Sequence, residues 1–152
     1  MRVSAKTDYA LRAVVELAAA DGDAPVKGER LATSQAIPLR FLENILLQLR
    51  HAGLVDSRRG AEGGYRLARP ASEIALADVI RAIDGPLAGV SGARPETLDF
   101  QGASEPLRDV WVAVRAALRG VLEQVTVADV AAGRLPDHVK ELLASEDAWV
   151  SH

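Results

Sequence analysis

The sequence predicts a mainly α-helical chain with one small β-hairpin, an α+β fold. Alanine, leucine and valine dominate the apolar 49% of the 152 residues, whereas Trp, Tyr and Phe occur only twice each, a composition that favours helices over a β-sandwich. Apolar residues recur at helical spacing in several segments, and a glycine-rich hairpin interrupts them. We expect a domain at 1–86, a connecting loop at 87–105, and a long helix with a C-terminal tail at 106–152.

The first helix is predicted over about residues 5–20, capped by Ser4, whose hydroxyl can accept an N–H of the first turn. Helical spacing gives it an inner face of Leu11, Val14, Val15 and Ala18. Lys6 and Thr7 fall in its first turn, where a basic side chain and a helix N-terminus could hold a phosphate. A solvated helix end is the alternative interpretation.

The next two helices are predicted as a close pair. A turn at 21–25 leads to a short helix over 26–34 with Leu31 and Ala32 facing inward. Pro38, tolerated in a first helical turn, opens the third helix after a tight connection. Its buried stripe is Leu42, Ile45, Leu46 and Leu49, and its predicted solvent face is Arg40, Glu43, Asn44, Gln48 and His51. Two short helices joined in this way are typical of a helix-turn-helix.

A hairpin follows the third helix directly. Gly53 is predicted to end the helix in a left-handed conformation, with strands beginning at Leu54 and returning over 65–67. The tip, residues 58–64, carries two arginines and three glycines, namely Arg58, Arg59, Gly60, Gly63 and Gly64. Glycines allow close approach to another surface, and arginines suit phosphates or the minor groove of DNA. The whole segment therefore predicts a winged helix-turn-helix domain.

The C-terminal half contains a fourth helix, a loop and the longest helix. The fourth helix has an apolar stripe of Leu76, Val79, Ile80 and Ile83 and ends at Gly85. Residues 87–105 lack periodicity, which predicts a functional or mobile loop. The long helix is predicted over 106–126, about 30 Å in length. Its near-heptad seam consists of Leu107, Val110, Trp111, Val114, Leu118, Val121, Leu122 and Val125.

We expect the seam of the long helix to pack against the same helix of a second chain, which gives a two-fold homodimer. The small N-terminal domain is too short to cover it all. A helix that folds back on its own domain is the alternative. The segment 136–150 is predicted as a frayed terminal helix, with Trp149 docking at a place that the sequence does not identify.

Charge is distributed unevenly. The net charge is −3, but residues 1–70 carry 11 Lys/Arg against 8 Asp/Glu, and residues 71–152 carry 7 against 13. Such asymmetry suits a module that binds an anion with its N-terminal part. The sequence contains no signal-peptide core and no apolar run of about 18 residues, so we expect a cytoplasmic protein that does not contact membrane.

The sequence offers no catalytic or metal-binding constellation. It contains no cysteine, which excludes disulfides and cysteinyl metal sites. His51, His138 and His152 share no metal-ligand spacing, and no glycine loop precedes a lysine in the phosphate-cradling pattern. We therefore expect no enzyme activity and no cofactor.

The third helix and the hairpin tip carry the candidates for contact with double-stranded DNA. Arg40 can fork onto guanine from the first turn of the helix, and Glu43 and Asn44 can bond cytosine and adenine. Arg58 and Arg59 would enter or straddle the minor groove. A homodimer would place two such units on a near-palindromic operator.

Five segments of this chain form a recognisable set: residues 6–13 (KTDYALRA), 37–43 (IPLRFLE), 49–55 (LRHAGLV), 59–68 (RGAEGGYRLA) and 80–85 (IRAIDG). Together they resemble the Rrf2 family of bacterial winged-helix regulators, which includes the IscR, NsrR and CymR types. The resemblance is close over 2–86, where the Arg-Gly-x-x-Gly-Gly-Tyr wing is the most specific part. The C-terminal half matches in layout only.

The resemblance implies a dimeric transcription regulator, usually a repressor, whose long helix crosses that of its partner. The start of the recognition helix, Leu39 to Glu43, would face the major groove, and Arg59 with its glycines the minor groove. Phe41 stands where the family often has tyrosine. The full set that we assign to DNA is Lys6, Thr7, Tyr9, Leu39, Arg40, Phe41, Glu43, Asn44, Arg58, Arg59, Gly60, Gly63, Gly64 and Tyr65.

The sensor region departs from the family pattern. Many members hold an iron–sulfur cluster on cysteines of the loop before the long helix, but residues 86–106 here contain neither cysteine nor histidine. Thiolates are the ligands that such clusters need, so we expect no cluster, as in the CymR-like branch. The signal stays open between a small-molecule effector, a partner protein and none.

Two other functions stay open from the sequence. A winged-helix module could dock on an acidic protein partner instead of DNA. A regulator could also bind a metabolite with the loop at 87–105, whose apolar residues are Leu87, Val90, Leu98 and Phe100. The operator, the regulated genes and the sign of regulation are not readable from the residues.

Overall fold

The computed structural model describes residues 2–20 and 24–151, so residues 21–23 of the predicted turn lie outside the described part. Its elements are α1 (Ala5–Ala19), α2 (Gly28–Gln35), α3 (Leu39–His51), β1 (Val55–Arg58), β2 (Gly64–Leu67), α4 (Leu76–Asp84), α5 (Leu107–Leu122), α6 (Val127–Ala131) and α7 (Asp137–Leu143). Short 3₁₀ turns lie at Ala71–Glu73, Pro95–Thr97, Gly102–Ser104 and Glu146–Trp149. The predicted mainly α fold with a small hairpin is confirmed.

Helix α1 lies at the centre of the fold and contacts α2, α3, α4 and α6. The Ser4 hydroxyl caps it by accepting the N–H of Thr7 at 3.0 Å. Its buried residues are Thr7, Ala10, Ala13, Val14 and Leu17, whereas the predicted face named Leu11, Val15 and Ala18 beside Val14. Leu11, Val15 and Ala18 are half-buried and pack against the same core as Val14, so the predicted face lies inward. The covered surface of α1 is wider than predicted because α2, α3, α4 and α6 surround the helix.

Helix α2 begins at Gly28, two residues later than predicted. Val26 is instead extended: its N–H donates to the Tyr65 carbonyl, and the Tyr65 N–H donates to the Val26 carbonyl, both at 2.8 Å. Leu31 and Ala32 are buried as predicted. Val26 therefore adds a third extended segment beside the two-stranded sheet.

Helix α3 buries the predicted stripe of Leu42, Ile45, Leu46 and Leu49, each 0% exposed. The helix ends at a left-handed Gly53 with φ of +73°. The N–H of Leu54 donates to the Leu49 carbonyl at 2.9 Å, and the N–H of Gly53 donates to the Arg50 carbonyl at 3.0 Å. These two bonds form a Schellman cap, which directs the chain into β1. Strands β1 and β2 pair antiparallel, from Val55 opposite Leu67 to Arg58 opposite Gly64.

The chain beyond α5 returns to the N-terminal core. The Leu76 N–H donates to the Val125 carbonyl at 3.0 Å, and the Val127 N–H donates to the Ile74 carbonyl at 2.8 Å. Val125 is 2% exposed, and Val127 belongs to the main hydrophobic cluster. The assignment of Val125 to the dimer seam was therefore wrong: α5 ends at Leu122, and Val125 lies in the core of its own chain.

Helix α6 was not predicted as a separate element. The Thr126 hydroxyl accepts the Asp129 N–H at 3.1 Å, and the Asp129 carboxylate accepts the Thr126 N–H at 2.8 Å and its hydroxyl at 2.7 Å. This capping box starts a new helix where the apolar spacing alone suggested continuation of α5. Helix α6 then packs on α1, so residues beyond the predicted domain boundary complete the N-terminal core.

The connector at 87–105 carries little regular structure, whereas the C-terminal tail contains α7 and the 3₁₀ turn at Glu146–Trp149. Residues 87–105 contain two 3₁₀ turns and a bridge between Val90 and Ala93. Trp149 is 72% exposed, and its indole N–H donates to the Leu143 carbonyl at 2.9 Å. Within the described residues, the docking of Trp149 is thus limited to this bond at the end of α7. Among the described residues, no helix combines the length and apolar content that a membrane crossing requires.

Candidate nucleic-acid interface

The first turns of α3 present polar side chains to solvent. Arg40, Glu43 and Asn44 are exposed, on the opposite side of the helix from the buried stripe. The Asn44 side-chain oxygen Oδ1 accepts a hydrogen bond from the Gln48 side-chain amide at 3.1 Å. Within the described part of the chain, the Arg40 side chain makes no hydrogen bond or ion pair. Its guanidinium is therefore available to a ligand.

An aromatic contact joins α1 to the start of α3. The rings of Tyr9 and Phe41 lie edge to face, with centroids 5.6 Å apart and planes at 84°. The Arg12 guanidinium lies 4.7 Å from the centroid of the Tyr9 ring. Arg12 is itself held by Asp8 at 2.9 Å and by the Gln35 carbonyl at 2.9 Å. These contacts join the first turn of α3 to α1.

The base of the wing meets the start of α3 at Gly28. A Cβ at Gly28 would lie 3.4 Å from a ring carbon of Tyr65 and 3.7 Å from a methyl of Leu39. Gly28 is buried, and both Tyr65 and Leu39 are half-buried against it. This contact fixes the wing relative to the recognition helix, so Tyr65 and Leu39 position the surface rather than project from it.

Two glycines in the wing are required by close backbone approach. Gly64 has φ of +147°, and a Cβ there would lie 2.5 Å from the Val26 carbonyl oxygen. A Cβ at Gly63 would lie 2.1 Å from the Arg58 carbonyl oxygen. Because Gly63 is buried, it shapes the tip and does not contact a ligand, which corrects its assignment to DNA. The Lys27 ammonium donates to the Gly60 carbonyl at 3.1 Å and ties the tip to the start of α2.

The wing tip is cationic. Arg58 and Arg59 are exposed, and neither side chain makes a hydrogen bond or ion pair with the residues described. Behind them, Arg66 lies 3.9 Å from Asp56, and the Arg50 guanidinium donates to the Ser57 hydroxyl at 3.0 Å. The two tip arginines therefore carry charge that the neighbouring residues leave uncompensated.

Thr7 is not available to a phosphate. Its side chain is 0% exposed, and its hydroxyl donates to the Asp84 carboxylate at 2.6 Å. The Ser4 hydroxyl donates to the same carboxylate at 2.9 Å. The assignment of Thr7 to DNA was therefore wrong, because the end of α4 occupies its hydroxyl. Lys6 remains half-exposed beside it.

The predicted residues thus separate into three groups. The polar groups of Lys6, of the start of α3 and of the wing tip face solvent. The side chains of Tyr9, Leu39, Phe41 and Tyr65, with the close backbone approach at Gly64, hold these parts together. Thr7 and Gly63 are internal. Sequence reasoning missed the supporting roles of Arg12, Lys27, Gly28 and Asp84. Each of them contacts a residue that is distant in the chain, and local sequence patterns do not reveal such contacts.

The family model described as "Rrf2: Iron-dependent Transcriptional regulator" matches residues 3–133. The chain is 54% identical over 142 residues to Rv1287 of Mycobacterium tuberculosis (strain ATCC 25618 / H37Rv), whose name describes an HTH-type transcriptional regulator; the match covers 93% of this chain and 88% of Rv1287. Two solved structures share the fold. CymR (YrzC), described as the global cysteine regulator of B. subtilis, is 33% identical over 87% of this chain and 97% of its own, with a TM-score of 0.74. IscR of T. potens is 32% identical, with a TM-score of 0.67, and the match covers 100% of this chain and 93% of the IscR chain.

The family and these relatives are transcriptional regulators rather than enzymes, and the winged helix-turn-helix found here is their DNA-binding module. The resemblance that the wing motif carries in the sequence is thereby confirmed. The chain belongs to the Rrf2 family of HTH-type transcriptional regulators.

Proposed function

We propose that the protein binds a near-palindromic operator as a homodimer, through the first turns of α3 and the wing tip, and represses transcription in the cytoplasm. Two packing contacts carry this proposal. Gly28 lies against Tyr65 of the wing and Leu39 of α3, and Tyr9 of α1 lies against Phe41 of α3. These contacts hold the first turn of α3, with its exposed Arg40, in one arrangement with the arginine-tipped wing. A rigid pair of this kind suits a major groove and the adjacent minor groove.

Charge supports nucleic acid as the partner. Arg40, Arg58 and Arg59 are exposed without partners among the described residues, and Lys6 is half-exposed at the N-terminus of α1. Arginine forks onto guanine edges, and a lysine beside a helix N-terminus favours phosphate. Glu43 would accept a hydrogen bond from cytosine and repel phosphates in other registers.

A homodimer follows from the apolar face of α5. None of the 16 residues of α5 is buried, although Leu107, Val110, Trp111, Val114, Leu118, Val121 and Leu122 lie at near-heptad spacing. Val110 is 51% exposed and Leu107 is 42% exposed. Packing of a second α5 on this face would remove its exposed apolar area from water, which is favourable. The two-fold axis of such a dimer would place the two α3 helices on one operator.

The residues present do not fit an iron–sulfur cluster, although the family's description names iron. The connector at 86–106 contains neither cysteine nor histidine, and the whole sequence contains no cysteine. In the part of the chain that the structure describes, no group of three His, Cys, Asp or Glu side chains could hold a metal ion. We therefore propose regulation without a cluster.

The test is duplex binding measured by fluorescence anisotropy across a range of salt concentrations. Neutralisation of several phosphates predicts a steep linear fall of log affinity with log salt. Arg59→Ala should weaken binding by at least several-fold and make the salt slope shallower by about one unit, while the dimer persists. Arg108→Ala, an exposed arginine at the start of α5, is the matched control and should leave both quantities unchanged.

Two outcomes would contradict the proposal. Unchanged affinity in Arg59→Ala would remove the wing from the mechanism. Binding that is weak at all salt concentrations, with dimeric protein, would favour a winged-helix module that docks on an acidic protein instead.

A further inference from the structure

A cavity of about 550 Å³ lies where α4, the connector and α5 meet, and it is separate from the surface assigned to DNA. Its lining includes Arg81 of α4, Leu87 and Arg94 of the connector, and Arg115 and Arg119 of α5. We propose that this cavity binds a small molecule with at least two negative charges, carried by phosphate or carboxylate groups. The proposal deepens the proposed function, on which it rests, by naming the class of effector.

The guanidinium groups around the cavity are more numerous than the carboxylates that neutralise them. Glu123 serves two arginines at once: it pairs with Arg81 and accepts the Arg119 Nε–H at 3.0 Å. Arg81 also lies 3.8 Å from Asp78, but Asp78 is shared with Arg69, which lies 3.6 Å away on the other side. One carboxylate that divides its charge between two guanidiniums leaves positive potential in the cavity.

The connector side of the cavity adds a further unpaired charge. Glu96 pairs with Arg115, whose side chain is 19% exposed. Arg94 is exposed, and its side chain has no hydrogen bond or ion pair within residues 2–20 and 24–151. The backbone hydrogen bond and the hydrogen bond from Arg115 lower the pKa of Glu96, and the nearby charges of Arg115 and Arg94 lower it further, so this carboxylate is charged at neutral pH. Glu96 pairs directly with Arg115 and attracts Arg94 only from a distance, which leaves Arg94 as the cavity arginine without a direct ion pair among the described residues.

The size and chemistry of the cavity suit such a ligand. Sites for small molecules commonly enclose about 300–1,000 Å³. Arginine binds carboxylate and phosphate oxygens in a bidentate fork, and several guanidiniums that converge from different segments favour a multivalent anion over chloride. Leu87, 7% exposed, supplies an apolar wall.

The position of the cavity explains how a bound anion would regulate. It would cross-link α4, the connector and α5, and so fix the proposed dimer helix relative to the DNA-binding domain. Helix α4 ends at Asp84, which holds Ser4 and Thr7 at the start of α1. A ligand that binds one spacing of the two recognition helices better than another shifts the population toward that spacing.

The experiment is isothermal titration of the full chain, without DNA, with sodium pyrophosphate and sodium succinate at matched ionic strength. We expect saturable binding of at least one anion at one site per chain. Arg94→Gln and Arg119→Gln should each weaken it by about tenfold, the loss of one charge-assisted hydrogen bond. Arg108→Gln, on α5 outside the cavity lining, should leave it unchanged. Preference for pyrophosphate or succinate identifies the phosphate or carboxylate class.

The wing arginines could attract the same anions, so Arg59→Ala is titrated in parallel and should keep full anion affinity. Three results would overturn the proposal: no saturable binding of either anion, binding that survives both cavity variants, or binding that Arg59→Ala abolishes. Because DNA is absent from the titration, any of these leaves the proposed operator binding to be judged by its own test.

Discussion

Tyr9 meets Phe41 edge to face at 5.6 Å, and through this contact the central helix α1 holds the first turn of the recognition helix. Phe41 is 39% exposed, so it is neither a core residue nor a free surface residue. The contact thus links the core to the surface that we propose to bind DNA.

Phe41→Ala should lower the free energy of unfolding by about 1–2 kcal/mol, less than the roughly 3–5 kcal/mol of a buried phenylalanine, because the ring is partly exposed. Duplex affinity should fall as well, since α3 loses its support from α1. Urea denaturation and anisotropy measure the two effects. Phe41→Tyr, which keeps the ring, and Leu47→Ala, an exposed residue of the same helix, are the controls. Strict additivity of Phe41→Ala with Tyr9→Leu would show that the rings do not interact.

Gly64→Ala should disrupt the wing more than Gly60→Ala. Both glycines have positive φ, so each alanine introduces backbone strain of about 1–3 kcal/mol. Only at Gly64 would the new Cβ also strike the Val26 carbonyl, and the bridge between Val26 and Tyr65 would then open. We expect roughly twice the loss of stability and a much larger loss of duplex affinity for Gly64→Ala. Equal losses in urea denaturation and anisotropy would mean that the bridge does not hold the wing.

Trp111→Asp should convert the protein to a monomer. Trp111 lies within the uncovered apolar seam of α5, and a carboxylate placed there would be desolvated against the partner helix. Light scattering coupled to size exclusion gives the mass directly. Leu142→Asp changes an apolar residue of α7 that is 56% exposed, and it should leave the dimer intact. A dimer that persists in Trp111→Asp would place the interface elsewhere.

Asp129 should make the thermal stability of the protein depend on pH in the acid range. Hydrogen bonds from the Thr126 N–H and hydroxyl lower the pKa of Asp129 below its ordinary value of 3.8. Because the folded state binds the proton less well than the unfolded state, the stabilisation is fully present above the ordinary value and is lost as pH falls through the folded pKa. Asp129→Asn should therefore lower the thermal midpoint at pH 7 by more than at pH 3. A constant difference between the two proteins across that range would contradict this role.

The sequence predicted correctly those parts of the fold that a local pattern determines. The apolar stripe of α3, the left-handed Gly53 after it and the glycine-tipped hairpin are of this kind. The predicted face of α1 packs on the core but is incomplete, because neighbours on several sides also bury small residues such as Ala10 and Ala13 that carry little pattern. Val125 continued the spacing of α5 although it lies beyond the end of that helix, since periodicity cannot distinguish a helical position from one whose carbonyl accepts the Leu76 N–H.

The candidate site was predictable where function requires exposed charge. Arg40, Arg58 and Arg59 were identified from residue type and position, and all three are exposed. Thr7 was misassigned because its partner, Asp84, lies 77 positions away in the chain. Positioning residues of this kind depend on long-range packing, which local patterns do not encode.

The central claim, that the protein reads a two-fold symmetric operator with α3 and its wing, is tested most directly by selection of bound duplexes from a random DNA pool. The account predicts a symmetric motif with half-sites about 10–10.5 base pairs apart, or a multiple of that spacing. Arg40→Ala should relax one fixed base position in each half-site, whereas Arg108→Ala should recover the wild-type motif. Dimeric wild-type protein that enriches no motif at low salt, with and without pyrophosphate or succinate, would contradict it.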